Sequence, residues 1–163
     1  MGLFDKKYCD ICGEKIGLLG NRKLEDGNCC KNCARKLSPW FNERRHSTVA
    51  EIRQQLAYRE ENQSKAAQFQ ITRELGRDWR VLFDDAHGWF TLTRARDLTG
   101  DNPDILSYSQ LTGSRLDVEE TRRELKRQDK NGKQVSYDPP RYAYSYNFDL
   151  TVTVNSPYFD SMS

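Results

Sequence analysis

Five cysteines lie within the first 33 residues, and four of them form two pairs with the spacing of metal ligands. Two residues separate Cys9 from Cys12, and after seventeen further residues the same spacing separates Cys30 from Cys33. A tight turn of this length directs both sulfur atoms of a pair at one ion, and four thiolates complete the tetrahedral coordination of zinc. The spacing therefore predicts a structural Zn²⁺ site formed by Cys9, Cys12, Cys30 and Cys33.

The stretch "GNCCKNC" contains one cysteine more than this site needs. Assigning Cys30 as the ligand gives both pairs the same spacing. Neighbouring residues of an extended segment point to opposite sides, so Cys29 would then face away from the ion and fill a small apolar position. A pairing of Cys29 with Cys33 across three intervening residues is stereochemically allowed and stays open as the alternative.

The candidate chemistry does not indicate an enzyme. Four cysteine ligands leave no coordination position for a catalytic water. The two histidines, His46 and His87, have no nucleophile in a recognisable setting beside them, and the sequence lacks phosphate-binding glycine loops and the H-E-x-x-H motif. We expect a non-enzymatic protein. A thiol redox switch, in which oxidation releases the zinc, is an alternative.

Composition limits the partners and the compartment. The 163 residues include 31% charged and 36% apolar residues, with a net charge of +2. There is no apolar run long enough for a membrane span and no apolar region typical of a secretory signal, so we expect the reducing cytoplasm. A protein is the expected partner. Nucleic-acid binding through the ribbon is the alternative, with these candidate phosphate contacts: Arg22, Lys23, Arg35 and Lys36.

The elements that position the cysteines are predicted as three successive parts. Residues 1–36 form a zinc ribbon with two knuckles, each on a hairpin. Residues 37–66 form a linker and an amphipathic helix, since Thr48 and Glu51 make a capping box and Val49, Ile52 and Leu56 make one apolar stripe. The remainder of this helix is polar, which predicts that it lies on a surface or packs against a partner, and a connecting helix is the favoured role. Residues 67–163 form the third part.

This third part has the period of two that is typical of strands. An alternating segment begins at Phe69, the runs "RVLFD" and "GWFTLT" flank a turn at "DAHG", and Asn131-Gly132 signals a hairpin. From Tyr142 to Val154 aromatic and aliphatic residues alternate with polar ones, which predicts a half-buried strand with its tyrosines facing the core. About six strands indicate an α+β, mainly β chain with an antiparallel sandwich or small barrel.

The motifs also resemble a known family. The segment "MGLFDKKYCDICGEKIGLLGNRKLEDGN" with "CKNCARKLSPWF", and further on "YSQLTG" and "PPRYAYSYNFDLTV", resembles a bacterial family of unassigned function that begins with a zinc ribbon. The resemblance implies an apolar residue at the position of Cys29, no known activity, and a chain that continues past "NSPYFD", so we expect a truncated C-terminus. The β-rich half is similar to a bacterial pleckstrin-homology-like (PH-like) domain.

Overall fold

The computed structural model describes residues 6–163, so the prediction about an N-terminal signal falls partly on residues outside this range. The chain is mainly β, with 42% strand and 23% helix, and its sheets are open and antiparallel. It forms two compact units, one comprising residues up to Thr112 together with Thr153–Met162, the other Gly113–Val152. None of the described helices is long and apolar enough to cross a membrane.

The N-terminal ribbon consists of two short hairpins and one helical turn. Its elements are β1 (Lys7–Tyr8) paired with β2 (Lys15–Ile16), β3 (Asn21–Lys23) paired with β4 (Asn28–Cys30), and α1 (Lys31–Arg35). The first knuckle lies on the β1–β2 hairpin as predicted. The second does not lie on a hairpin turn, because Cys30 ends β4 and caps α1, in which Cys33 lies. The second cysteine pair thus occupies a corner between a strand and a helix.

The ribbon and the following helix share one hydrophobic core. Helix α2 (Val49–Gln68) begins with the predicted capping box: the Thr48 hydroxyl accepts from the Glu51 amide, and the Glu51 carboxylate accepts from the Thr48 amide at 2.7 Å. The core contains these buried residues: Cys9, Ile16, Leu24, Cys29, Cys30, Cys33, Leu37 and Ile52. The first turns of α2 are therefore part of the folded ribbon, and the helix is more than a connector.

Three polar side chains on one side of α2 are buried, whereas most of its other polar residues are exposed, so the helix lies at a surface and also packs against another segment. Gln55, Arg59 and Asn62 are all at least nine-tenths buried. The Arg59 guanidinium lies 2.8 Å from the carboxylate of buried Asp104, which also accepts a hydrogen bond from the Ser38 hydroxyl at 2.8 Å. A buried charge needs such a partner, so the pair satisfies groups that would otherwise oppose folding.

Further hydrogen bonds join α2 to the segment before β8. The Asn62 amide donates to the Pro103 carbonyl at 2.7 Å, and its oxygen accepts from the Ile105 amide at 2.8 Å. Asn102, which has a left-handed backbone with φ +47°, donates to the Arg59 carbonyl at 2.9 Å. The helix thus positions this segment through side chains, although their separation in sequence is about forty residues.

A four-stranded antiparallel sheet follows α2. Its strands, in the order β5-β6-β7-β8, are β5 (Arg73–Gly76), β6 (Arg80–Asp84), β7 (Trp89–Thr93) and β8 (Leu106–Ser107), with the short helix α3 (Leu98–Asp101) before β8. The strands predicted at "RVLFD" and "GWFTLT" and the turn between them are confirmed. The strand predicted from Phe69 begins only at Arg73, and α2 ends at Gln68, two residues beyond the predicted end of the helical segment at residue 66.

The turn between β6 and β7 is anchored by Asp84, whose carboxylate is completely buried. It accepts hydrogen bonds from the Gln70 amide at 2.8 Å and the His87 amide at 3.1 Å, and it lies 2.7 Å from His87 Nδ1. Burial favours the neutral acid, but these donors outweigh burial and lower the pKa of Asp84.

This shift predicts a pH dependence for the Asp84→Asn variant. A lowered folded-state pKa contributes stability that is fully present above the pKa of unfolded aspartate, about 3.9, and is lost as the pH falls through the folded-state value. Wild type should be the more stable protein near neutral pH, and the difference should narrow below about pH 4. Urea unfolding of both proteins across pH measures the difference, because the contributions of all other titratable groups are shared by the two proteins and cancel. A constant difference down to pH 3 would contradict the prediction.

Gly27, in the turn between β3 and β4, has no room for a side chain. A Cβ atom there would lie 2.6 Å from Val49 Cγ2 and 2.8 Å from Asp10 Oδ2. Gly27→Ala should therefore destabilise the protein by about 1–3 kcal/mol, measured by thermal unfolding. Gly17→Ala is the matched control, since nothing lies within 4 Å of its Cβ position. Equal melting temperatures for the two variants would disprove the expectation.

The second compact unit consists of most of one long hairpin. Strand β9 (Leu111–Gln128) and strand β10 (Gln134–Val154) are joined by a turn in which the Gly132 amide donates to the Asp129 carbonyl at 3.0 Å. Gly132 has φ +79°, so the hairpin predicted at Asn131-Gly132 is confirmed. The short strand β11 (Ser161–Met162) pairs with β10, and Val154 donates to the Asp160 carbonyl at 2.8 Å.

The apolar face of β10 is exposed, which corrects the predicted core-facing stripe. Tyr142, Tyr144, Tyr146 and Phe148 expose between 39% and 65% of their surface. Only towards the end of the strand are apolar residues buried, at Val152 and Val154. Alternation correctly identified the strand and its two faces. Whether either face is covered depends on residues elsewhere in the chain, and the periodicity of one strand does not contain that information.

Candidate metal centre

The structure brings the four predicted cysteines together. The sulfur atoms of Cys9, Cys12, Cys30 and Cys33 all lie within 4.8 Å of one another, and those of Cys12 and Cys30 are 3.8 Å apart. Cys9, Cys30 and Cys33 are buried, whereas Cys12 is exposed. All five cysteines are free thiols. Four converging sulfur atoms form a group that could hold a metal ion.

Backbone geometry holds each pair in place. In the first knuckle the Cys9 amide donates to the Glu14 carbonyl and the Gly13 amide donates to the Cys9 carbonyl, each at 2.8 Å. Gly13 has φ +77°, a conformation that favours glycine and lets the chain turn back beneath the sulfur atoms. In the second knuckle the Cys33 amide donates to Cys30 Sγ at 3.3 Å, as in a helix N-cap.

Backbone amides also favour ionised sulfur. The Cys30 amide donates to Cys9 Sγ at 3.2 Å. Burial opposes ionisation of Cys9, but N–H donation from Cys12, Cys30 and Ile11 lowers its pKa to about 6. The pKa of Cys33 is raised, first by burial and then by the neighbouring sulfur atoms. One thiolate thus hinders ionisation of its neighbour, and a dication among the sulfur atoms would relieve this repulsion.

Cys29 is separate from the four-sulfur cluster. It is completely buried, and its thiol donates to the Cys30 carbonyl at 3.4 Å. Burial raises its pKa to about 12, with a further contribution from the charges of Cys9 and Cys30. A neutral, enclosed thiol is suited to packing, so the structure agrees with the assignment of Cys30 as the fourth member of the cluster.

Asp10, inside the first knuckle, is a supporting residue that the sequence reasoning missed. Its carboxylate accepts from the Asn28 amide at 2.6 Å, and its carbonyl accepts from the Arg53 guanidinium at 2.6 Å. It therefore connects the first cysteine pair to β4 and to α2. An aspartate between two cysteines gives no signal for this role in the sequence, because both partners lie far along the chain.

The remaining candidate residues lie outside the cluster. Arg22, on β3, donates to the Leu19 carbonyl at 3.1 Å, and Arg35 ends α1. His46 is exposed, and the exposed His87 ring stacks on Trp89 with 4.5 Å between ring centroids. None of these residues contributes an atom to the four-sulfur cluster. Phosphate contacts by Arg22, Lys23, Arg35 and Lys36 stay a prediction.

The two paired-cysteine segments converge in a small β-rich unit and form a four-cysteine ribbon that could hold a metal ion. Residues 7–55 match the family described as Domain of unknown function (DUF4428). This range contains both cysteine pairs and ends in α2 just after Ile52, so it coincides closely with the shared hydrophobic core. Comparison with curated proteins and with solved structures gave no match.

Proposed function

We propose that the four-cysteine cluster binds Zn²⁺ and that the ion has a structural role. Zinc binds thiolates at about 2.3 Å, so two ligands of a tetrahedral site lie about 3.8 Å apart. The separation of Cys12 and Cys30 sulfur atoms is 3.8 Å. Four sulfur ligands complete the coordination sphere and leave no position for a substrate or a reactive water. The residues present therefore fit a zinc ion that stabilises the ribbon.

The function proposed for the whole chain is that of a non-enzymatic interaction module with a protein partner. One observation carries this proposal: the hairpin β9–β10 presents an exposed apolar face. A two-stranded hairpin is marginally stable by itself, and strands of 18 and 21 residues are far longer than is usual. A binding partner that covers the face would stabilise it.

Contacts between the strands define this face. The Arg122 guanidinium lies 4.6 Å from the ring centroid of Tyr142, and the Glu120 carboxylate is close enough to raise the pKa of Tyr146. Side chains alternate along a strand, so even-numbered residues of both strands share the face. We call it the aromatic face. Its apolar members are Leu116, Val118, Tyr142, Tyr144, Tyr146 and Phe148.

The aromatic face has the composition of a protein interface. Its six apolar side chains together expose on the order of 500 Å², at the upper end for apolar patches on monomeric proteins. Tyrosine and arginine are enriched in such interfaces. Glu120 and Arg122 place both signs of charge on the face, so it does not complement a polyanion such as nucleic acid.

Site-specific photocrosslinking in the host tests the proposal. A photoreactive phenylalanine analogue replaces Tyr146 on the aromatic face or, as the matched control, the neighbouring Asn147 on the opposite face. We expect a covalent adduct with one different protein from position 146 and none from position 147. No adduct, adducts of equal yield at both positions, or an adduct only with a second copy of this chain would contradict the proposed partner.

The two alternative functions have weaker support. A redox switch needs a sulfur atom that is both ionised and accessible. Cys9, whose pKa is lowered, is buried, whereas the pKa of exposed Cys12 is raised. Nucleic-acid binding has support only from dispersed basic residues of the ribbon. The PH-like architecture that the resemblance implies is also a prediction, as is the cytoplasmic location.

A further inference from the structure

The turn between β2 and β3 presents two leucines to solvent. Leu18 is 95% exposed and Leu19 is 90% exposed, the largest values among the big hydrophobic residues of the described chain. Gly17 and Gly20 flank them, and the Gly20 amide donates to the Gly17 carbonyl at 3.0 Å. We call residues 17–20 the leucine tip. A single exposed leucine is ordinary, but two adjacent leucines at a projecting turn are not explained by packing within the ribbon.

The backbone of the leucine tip is strained by its sequence. Leu19 has φ +64°, and it is the third residue of the turn, where glycine or asparagine is favoured. A branched hydrophobic residue in the left-handed region costs free energy, and here no burial offsets that cost. Strain retained at an exposed position indicates a functional requirement for the side chain.

Positively charged residues flank the leucine tip in sequence and in strand pairing. Lys7 pairs with Ile16, directly before the tip, and the Arg22 guanidinium donates to the Leu19 carbonyl. Asn21 pairs with Cys30, which places Lys31 at the same end of the ribbon. The cations at this end are Lys6, Lys7, Lys15, Arg22 and Lys31.

The acidic residues are mostly placed elsewhere. Glu25 and Asp26 lie in the turn at the other end of the β3–β4 hairpin, and the Asp10 carboxylate is occupied by the Asn28 amide. Among the described residues 6–163, Glu14 is the one acidic residue next to these cations in the ribbon. A zinc ion with four thiolates adds two negative charges inside the ribbon, and an excess of positive charge remains at this end.

We propose that the leucine tip inserts into the surface of an anionic lipid bilayer. Two apolar side chains would enter the boundary between headgroups and acyl chains, while the surrounding lysines and arginine attract the anionic headgroups. Either contribution alone gives weak attachment, and together they give reversible binding of the folded chain. A nucleic acid would use the positive charge but would leave Leu18 and Leu19 in water.

Vesicle cosedimentation of the zinc-loaded full chain tests this proposal. The probes are phosphatidylcholine vesicles with and without phosphatidylserine, together with a single-stranded oligonucleotide. The variant is Leu18→Ser with Leu19→Asn, because asparagine accepts the left-handed conformation and should preserve the turn or stabilise it. Leu75→Ser is the matched control, since Leu75 is 61% exposed and lies on β5.

Wild type and Leu75→Ser should bind the anionic vesicles equally, and added salt should weaken both. The tip variant should bind at least about tenfold more weakly, with its zinc content and melting temperature retained. Equal binding by the tip variant would overturn the proposal, as would no binding at low salt or equal binding to vesicles without phosphatidylserine. Oligonucleotide binding that exceeds vesicle binding and survives the leucine replacements would identify the positive surface as a nucleic-acid site instead.

Discussion

A Cys9→Ser, Cys33→Ser double variant is expected to lose its zinc and the folded ribbon. The metal supplies about 10–16 kcal/mol of apparent binding free energy in small structural zinc sites, as much as the whole stability of a typical domain. The ribbon hairpins contain only two or three residues per strand and cannot form a sufficient core alone. Because the cysteines share this core with Ile52, the start of α2 should lose protection with them.

Zinc analysis and hydrogen exchange measure this effect. Wild type should contain about one zinc ion per chain and the double variant nearly none, with faster amide exchange over residues 7–55. Cys29→Ala is the matched control and should retain its zinc, because its thiol lies outside the cluster. Loss of zinc from Cys29→Ala with retention in Cys30→Ala would show that the fourth ligand was assigned wrongly.

The second large effect is expected for Asp104→Ala. This change leaves the Arg59 guanidinium buried without its anion, since the pair is 2.8 Å apart and both side chains are at least nine-tenths buried. It also removes the acceptor of the Ser38 hydroxyl. Breaking a buried ion pair in this way costs about 3–5 kcal/mol, because an uncompensated charge remains inside the protein.

Urea unfolding of zinc-loaded protein measures the loss. Asp117→Ala is the control, because it breaks the exposed ion pair with Arg115 and should change the free energy of unfolding little. Replacing both partners, as Arg59→Met with Asp104→Leu, should recover much of the stability, since no unpaired charge is left. An Asp104→Ala protein as stable as Asp117→Ala would show that the buried pair is not formed in solution.

The convergence of the four cysteines was predictable because its information is local. The selection of Cys30 over Cys29 needed only two local facts. Each cysteine pair has a spacing of two intervening residues, and neighbouring side chains in an extended segment point to opposite sides. The capping box at Thr48 and the hairpin at Asn131-Gly132 are local in the same sense. The strand-to-helix corner at the second pair was missed, because the five residues of α1 are too few for a helical period to be visible.

Features that depend on distant residues were not predictable. Arg59 and Asn62 look like surface residues in the sequence, and they are buried only because Asn102–Ile105 supplies their partners. The stripe from Tyr142 to Phe148 is the opposite case, because it resembles a core face in the sequence but is exposed in the structure. Its alternation is that of a half-buried strand, but no described segment covers it. Apolar periodicity predicts whether a segment is a helix or a strand, but it does not show which other segments pack against it.

The most direct test of the four-sulfur zinc site is X-ray absorption spectroscopy at the zinc edge of the purified full chain. We expect a first shell of four sulfur atoms at about 2.3 Å with no nitrogen or oxygen ligand, and the same spectrum for Cys29→Ala. A shell with three or fewer sulfur atoms completed by a lighter ligand would open a coordination position. That result would contradict a purely structural zinc and with it the non-enzymatic assignment.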